Sequence, residues 1–468
     1  MKTAAVVATL LASACASSTG AGDVGDKAGN QPPSTTLTLV TSEQLGRPGA
    51  DTVERFVAAV DELSGGRVVI TPTFDHPSDQ PPNLDQVNVQ ALRAGEFDLT
   101  LVPARAWHFE GVQTLEPLQL PFLVETDAQA DRVAADTGLA TALLAGLASI
   151  DITGLGLFPE GVRHLVRLDG APIDPTGNLD GLTVRAPAGD TTSAVLKGLG
   201  ADVVYLNSGD LSDAVTSKRV AVAETSLTLS SSLPAIGRPS VLLNMVLYTK
   251  FNVLAISDAV VARLDVRTLA VLRDAAAAAL DKTIAERPRE PDALTQACAI
   301  GIGTVRASEA QLQAMRERLK PVSDQIITAA GVQSLVKRVS ATAGEGSEPV
   351  LSDCPATEPS DTVLPSDVAA LKPFAGDLPD GTYRFEVHTD IILASYPNFP
   401  KSKLAGYSGV YTAVLNGGRL TLEGVINDGQ TWRNTTIYEV DGNNVTVALA
   451  SGFDFYTPMA VHWRWAVA

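Results

Sequence analysis

The sequence predicts an α/β protein of two lobes with long helices, followed by a small all-β C-terminal domain, a sandwich or a barrel. Three observations predict it. From Thr36 to Ala223, short β-branched runs alternate with helical stretches, the pattern of a parallel sheet covered by helices on both faces. Ala259 to Ala341 is alanine rich and mostly helical, which suits a long connecting helix plus a packing layer. Beyond a stretch rich in turn residues, the apolar period changes to two.

In chain order, Met1 to Cys15 carries one positive charge, a short apolar stretch and small residues before the cysteine. It reads as an export signal, too short to span a bilayer, which takes about 20 apolar residues. Leu11-Ala-Ser-Ala14 before Cys15 looks like a bacterial lipobox, implying cleavage there and a diacylglycerol thioether on the Cys15 sulfur. An ordinary signal peptide with an incidental cysteine is the alternative, since leucine is commoner than Ala12 at its position. Residues 16–36 are rich in Gly, Ser, Asp and Pro and read as a flexible tether.

The first lobe then runs through a strand at Leu37–Val40, an amphipathic helix at Ala50–Ser64, a strand at Arg67–Phe74, a helix at Leu84–Ala94 and a strand at Asp98–Val102. Ligands of such sheets bind beyond the carboxyl ends of the strands, and Trp107 falls in a loop of that kind. A second set begins near Ile152, with strands at Thr183–Arg185, Val203–Leu206 and Val220–Ala223. Between them lie helices at Thr191–Gly198 and Leu211–Lys218, the latter with Ser208 and Asp210 as cap candidates. Leu242–Tyr248 and Val253–Ile256 read as strands returning to the first lobe, so that crossing strands join two lobes around a cleft.

This two-lobed unit covers 37–342. Gly344-Glu-Gly-Ser-Glu-Pro349 and Ala356-Thr-Glu-Pro-Ser-Asp361 mark a linker at 343–373. Over 374–468, runs such as Gly381–Val387, Gly409–Leu415 and Arg419–Gly424, with turns at Asn416-Gly-Gly418 and Asp441-Gly-Asn443, make an antiparallel β domain. Trp432 and His462-Trp-Arg-Trp465 read as core filling on alternate positions, or as an aromatic cluster that stacks on sugars or packs on a partner.

Composition narrows the function. The 468 residues carry a net charge of -18, which argues against a nucleic-acid partner, whose phosphates need clustered Lys and Arg. An acidic protein can still hold an anion with a few local arginines. Beyond Cys15, Cys298 and Cys354 remain, and in an exported chain two cysteines most simply pair with each other; the alternative is one buried and one exposed thiol. There is no Gly-x-Ser-x-Gly elbow, His-Glu-x-x-His or phosphate loop, and Gly154-x-Gly156 and Gly301-x-Gly303 lack the third glycine of a dinucleotide site. His76, His108, His164, His388 and His462 show no metal-ligand spacing. No catalytic residue, metal or cofactor is expected.

Arg185, in Asn178-Leu-Asp-Gly-Leu-Thr-Val-Arg-Ala-Pro187, stands at the mouth of a predicted strand with a helix after it. A guanidinium there offers a planar fork that matches a carboxylate two bonds at a time; the alternative is a structural salt bridge. Its surroundings decide. Gly154–Leu165, the Arg185 segment, Leu196–Asp202 and Asp210–Ala223 follow one another in the order seen in the solute-binding proteins of tripartite ATP-independent periplasmic (TRAP) transporters. The chain resembles this C4-dicarboxylate-binding type over about 37–342, also through Gly65–Ile70, Val89–Leu99, Leu118–Leu123 and Met315–Val322. The β domain lies outside the resemblance.

The resemblance implies that Arg185 makes the bidentate bond to a substrate carboxylate and that Arg163, in Gly161-Val-Arg-His164, faces the ligand or the lobe surface. One departure matters: where the family has Asp-Gly-x-Glu-Asn, this chain has Ala221-Val-Ala-Glu-Thr225. Thr225 offers one hydroxyl where asparagine offers an amide, and Glu224 orients Arg163, accepts from the ligand or caps a helix. The implied protein is a lipid-anchored receptor on the outer face of the cytoplasmic membrane. It takes a small organic anion in a hinged cleft, near Trp107 and Thr225, and passes it to permease subunits. The rival is an envelope interaction protein that uses the lobes as a scaffold and the β domain to bind a glycan or a protein.

Overall fold

The computed structural model describes residues 35–344 except 80, 208–209, 233–238 and 300–301, together with Cys354 and the backbone of six strands between 381 and 464. The signal segment with Cys15, nearly all of the tether and most of the linker lie outside the described residues, as do the side chains of Trp432 and His462–Trp465.

The first sheet region is built from β1 (Thr35–Val40), α1 (Pro48–Ser64), β2 (Val68–Thr73), α2 (Leu84–Ala94) and β3 (Leu99–Pro103). Pro48 opens α1, where its missing N–H costs nothing, and Gly65 closes it in the left-handed region at φ 60°. Two short 3-10 turns, Ala104–Glu110 and Glu116–Gln119, lead to α3 (Asp127–Ala135) and α4 (Thr137–Leu144). Asp136 caps α4 by accepting from the Leu139 amide.

β4 (Ile152–Arg167) is then one strand of 16 residues, not the start of a separate unit. Its first part pairs antiparallel with β9 (Tyr248–Ser257), and its last four residues pair with β7 (Val222–Thr225). Register shifts at Gly154/Gly156 and Pro159/Gly161 let it turn from one sheet region into the next and accommodate a proline inside a strand. The second region adds β5 (Thr183–Ala186), α5 (Asp190–Gly198), β6 (Asp202–Tyr205), α6 (Leu211–Thr216) and β8 (Ser240–Leu242). The expected strand Leu242–Tyr248 is therefore corrected: β8 ends where it was to begin, and β9 begins where it was to end.

The remaining helices are α7 (Asp258–Val261), α8 (Val266–Glu286), α9 (Glu290–Ala299), α10 (Glu309–Ala330) and α11 (Gln333–Ala343), with β10 (Gly303–Val305) between α9 and α10. The sheet order is β2-β1-β3-β9-β4-β7-β5-β6, with β8 between β4 and β10. The sheet is mixed: β1, β2 and β3 are parallel, as are β5, β6 and β7, but β3–β9, β9–β4 and β4–β7 are antiparallel. The expectation of a parallel sheet holds within each region and fails at the two strands that join them.

Each region buries an apolar cluster on both faces. Leu37, Phe56, Leu254 and Leu272 fill one face of the first, and Val102, Trp107, Leu143 and Phe251 the other. Leu165, Val184, Leu196 and Met315 fill one face of the second. Val166, Ala223, Leu294 and Ile302 fill the other, where a Cys298–Cys354 disulfide, with Cα atoms 5.2 Å apart, ties α9 to the chain beyond α11. The C-terminal strands β11 (Gly381–Val387), β12 (Gly409–Asn416), β13 (Arg419–Ile426), β14 (Thr431–Asp441), β15 (Asn444–Ala448) and β16 (Ala460–Arg464) pair antiparallel, each with the next in sequence.

Candidate functional site

Between these apolar clusters lies a layer of buried charged and polar side chains, drawn from the strand ends of both regions. β5 is flanked by β6 and β7, so Arg185 near its carboxyl end lies among backbone carbonyls of both neighbours. Arg185 Nε donates to the Leu206 carbonyl at 2.8 Å and Nη1 to the Glu224 carbonyl at 3.4 Å. Only 6% of the residue is exposed, and no carboxylate among the described residues pairs with it. Burial, reinforced by the nearby charges of Arg163 and Arg105 and opposed by Glu224, pushes its pKa down to about 10. The guanidinium is still charged at neutral pH, in a place where charge is costly.

Arg163 is the opposite case. It stands on β4, and its Nε and Nη2 reach both carboxylate oxygens of Glu224, the second at 3.0 Å. Glu224 is fully buried at the end of β7. Burial alone would raise the Glu224 carboxyl, but Arg163, Arg185 and Arg105 together hold it below the usual range. Glu224 thus occupies the Arg163 fork and presents only its backbone carbonyl to Arg185. Thr225 follows it, buried and in register with His164.

Trp107 departs from the loop expected of it. It lies in the 3-10 turn Ala104–Glu110, wholly buried in the apolar cluster of the first region, and its indole N–H meets no acceptor. Arg105, two residues earlier, reaches the polar layer instead and pairs with Asp85 in the first turn of α2. Lys250 of β9 is held at 2.7 Å from Glu43 and 2.6 Å from Glu160. Neither cation was singled out from the sequence; the one signal was a lysine inside the apolar run Tyr248–Ile256.

The two regions also touch directly. Gln86 Nε2 of α2 donates to the Ala188 carbonyl at 3.2 Å, and the Thr191 hydroxyl donates to the Glu116 carboxylate. His108 Nδ1 lies 2.6 Å from Glu116 Oε1 and its Nε2 lies 3.5 Å from Asp190 Oδ2. The hydrogen bond to Glu116, with Asp190 beyond it, raises the imidazole pKa against the effect of burial.

Among the described residues, a buried polar layer between two sheet regions holds Arg185 without a carboxylate partner, an arrangement that can take an anion. Residues 40–329 match the model of DctP, the bacterial extracellular solute-binding proteins of family 7. The chain belongs to that family. No curated protein matches it. Its fold matches a TRAP periplasmic solute-binding protein from Ochrobactrum anthropi at TM-score 0.58 and 22% identity, covering 67% of this chain and 96% of that one. A similar protein from Ralstonia eutropha, solved with (S)-2-acetolactate, matches at 0.58 and 19%, covering 66% and 98%. The sugar acid binding protein of Advenella mimigardefordensis, solved with galactonate, matches at 0.58 and 21%, covering 67% and 99%. As a family 7 solute-binding protein, the chain is an extracytoplasmic receptor and not an enzyme.

Proposed function

We propose that this solute-binding protein captures a small carboxylate-bearing solute between two lobes, at 37–342, and delivers it to a TRAP-type membrane permease. The observation that carries the reading is Arg185: a buried guanidinium without a carboxylate partner among the described residues. A desolvated charge costs several kcal/mol unless it is paired, on the order estimated for buried ions, so a site that keeps one bare is completed by an anion. The ligand carboxylate takes the fork edge that the Leu206 and Glu224 carbonyls leave open. Arg163 and Glu224 act as a pair that holds Arg185 and Thr225 in place, and Thr225 supplies one hydroxyl to the ligand. Succinate, acetolactate, galactonate and glucuronate occupy similar proteins in solved structures, which supports a carboxylate as the recognised group.

Closure is a rotation of one lobe against the other about β4 and β9, and the Gln86–Ala188, Glu116–Thr191 and His108–Asp190 contacts form as the lobes meet. The protein is tethered by lipid at Cys15 and residues 16–36, while a linker at 343–373 carries a β domain at 374–468 that binding does not need. A thermal-shift screen of small carboxylates tests the reading, because a ligand of the folded state raises its apparent stability. At least one carboxylate raises the melting temperature of wild type and not of Arg185→Ala; a screen in which none does so overturns it. Cys15→Ser releases the protein from the membrane fraction if the anchor is real.

A further inference from the structure

Four successive residues carry the second region onto the first. The Ala188 carbonyl accepts from Gln86 Nε2, Gly189 packs on the Arg105 side chain, Asp190 meets His108, and the Thr191 hydroxyl donates to Glu116. At Gly189 the approach is close: a Cβ there would stand 3.3 Å from Arg105 Cδ. The stretch begins three residues after Arg185, on the turn from β5 into α5. A carboxylate that pulls on Arg185 therefore acts on the docking segment through one short piece of chain.

Of these four contacts, the one made by an imidazole changes charge near neutral pH. Both ring nitrogens of His108 face carboxylates: Nδ1 lies 2.6 Å from Glu116 Oε1, and Nε2 lies 3.5 Å from Asp190 Oδ2. Glu116 is buried on His108's own side of the junction, while Asp190 opens α5 on the other. A neutral ring donates one N–H, which Glu116 takes, and turns the Nε2 lone pair toward the Asp190 carboxylate, acceptor against acceptor. A protonated ring donates from both nitrogens, and the same contact becomes an ion pair. The turn of His108 packs on α2, β3, β9, α5 and the turn Glu116–Gln119. α2 brings Asp85 and Arg93, which pair with Arg105 and Glu110 of His108's own turn. β9 brings Lys250, held by Glu43 and Glu160, and Tyr248, which burial pushes up to about 12 and keeps neutral. β3 carries no charge, and Lys197 of α5 stands two turns on from Asp190. Glu116 and Asp190 remain as the charges that act on the imidazole, and both favour its cation.

We infer that closure of the cleft is proton-linked: protonated His108 joins Asp190 across the junction of the two regions, so the receptor holds its solute more tightly as the medium becomes acidic. This linkage rests on the reading of a cleft that closes on a carboxylate at Arg185, and it adds how the medium sets the grip. Opening the cleft leaves Glu116 beside the ring and takes Asp190 away, so the closed form keeps the His108 proton more firmly than the open one. The gain is fully present below the imidazole value of the open form and is lost as pH rises through that of the closed form. Tighter binding at acidic pH and proton uptake on binding are one effect seen from its two sides.

The test is calorimetry on the full-length protein with pyruvate, L-lactate, D-galactonate and D-glucuronate, acids that stay ionised above pH 5.5. The tightest of them is titrated at pH 5.5 and pH 8.5, and at an intermediate pH in two buffers of different ionisation enthalpy, which counts the protons exchanged. Wild type binds it about two- to fivefold tighter at pH 5.5, the range of an ion pair that faces solvent on one side, and takes up a fraction of a proton. His108→Gln and Asp190→Asn each bind it equally well at both pH values and take up none. Thermal melts that match wild type at pH 8.5 show the variants to be folded, and either variant alone suffices. A contact that only shapes the junction would change affinity without changing the proton count. Wild-type affinity that is flat or reversed in pH, or a proton uptake that survives in the variants, overturns the inference and leaves Arg185 in its role. If none of the acids binds at either pH, the reading of Arg185 and the linkage fall together.

Discussion

Arg185 and Arg287 are both buried, 6% and 3% exposed, yet they stand in opposite chemical situations. Arg287 lies in the short link between α8 and α9. Its Nη1 pairs with Asp127, and its Nη2 reaches the Asp127 carbonyl at 3.2 Å and Asp131 at 2.8 Å. Asp127 also accepts from the Glu290 amide at 2.7 Å, and Glu290 lies against His164 of β4 at 2.5 Å. Two carboxylates outweigh burial there and raise the Arg287 pKa, whereas burial wins at Arg185 and lowers it. The contrast separates a fastening from a receptor. Where the fold uses an arginine to hold elements together it supplies the carboxylates; at Arg185 it supplies two carbonyls and, among the described residues, no carboxylate, the place the proposed ligand would take.

The strongest way to break this contrast is to remove both side chains and compare stability. Arg287→Ala leaves Asp127 and Asp131 without their cation and is expected to cost about 3 to 5 kcal/mol of unfolding free energy, as breaking buried pairs does. Arg185→Met removes an uncompensated charge, so the ligand-free protein melts at the same temperature or higher. Urea melts of both variants decide it, and equal losses would erase the difference between the two sites.

Next in size is the disulfide, which strengthens the fastened side. Removing it with Cys298→Ala and Cys354→Ala opens a loop of 56 residues in sequence separation and is expected to cost about 2 to 4 kcal/mol. Carboxylate affinity is unchanged at temperatures where the variant stays folded. An affinity that fell with the stability would mean that α9 and the site are coupled.

The smallest effect sharpens the receptor side. His108 has a raised pKa in the folded protein, so its contribution is fully present below the ordinary imidazole value and is lost as pH rises through the raised one. Wild type is therefore more stable than His108→Gln at pH 5.5, and the gap closes above neutrality. A pH-independent gap in melting temperature would show that the imidazole charge does not join Glu116 to Asp190.

The fold was largely legible because its elements follow local periodicity. Leu84–Ala94 forms the helix that its apolar spacing predicts, and α1 and β1 to β3 lie within two residues of their expected bounds. β4 was not legible as one strand, since Gly154, Gly156, Pro159 and Gly161 imitate breaks and it is pairing with β9, β7 and β8 that holds it extended. In the site, Arg185 was visible because a motif surrounds it. The Arg163–Glu224 pair joins residues 61 apart in sequence, and Lys250, Glu43 and Glu160 meet across three elements, so no local spacing could show either. Trp107 was placed by its position after a strand, but a large aromatic gains more from the core than from a cleft wall, and it is wholly buried.

The central claim is that Arg185 grips the ligand carboxylate, and calorimetric titration of wild type, Arg185→Ala and Arg185→Lys with the tightest carboxylate of the screen tests it most directly. Arg185→Ala is predicted to lose about 2 to 5 kcal/mol of binding free energy, tenfold for each 1.4 kcal/mol. Arg185→Lys recovers only part of it, because a point charge cannot make two parallel bonds to a carboxylate. An Arg185→Ala variant that binds as tightly as wild type would contradict the account.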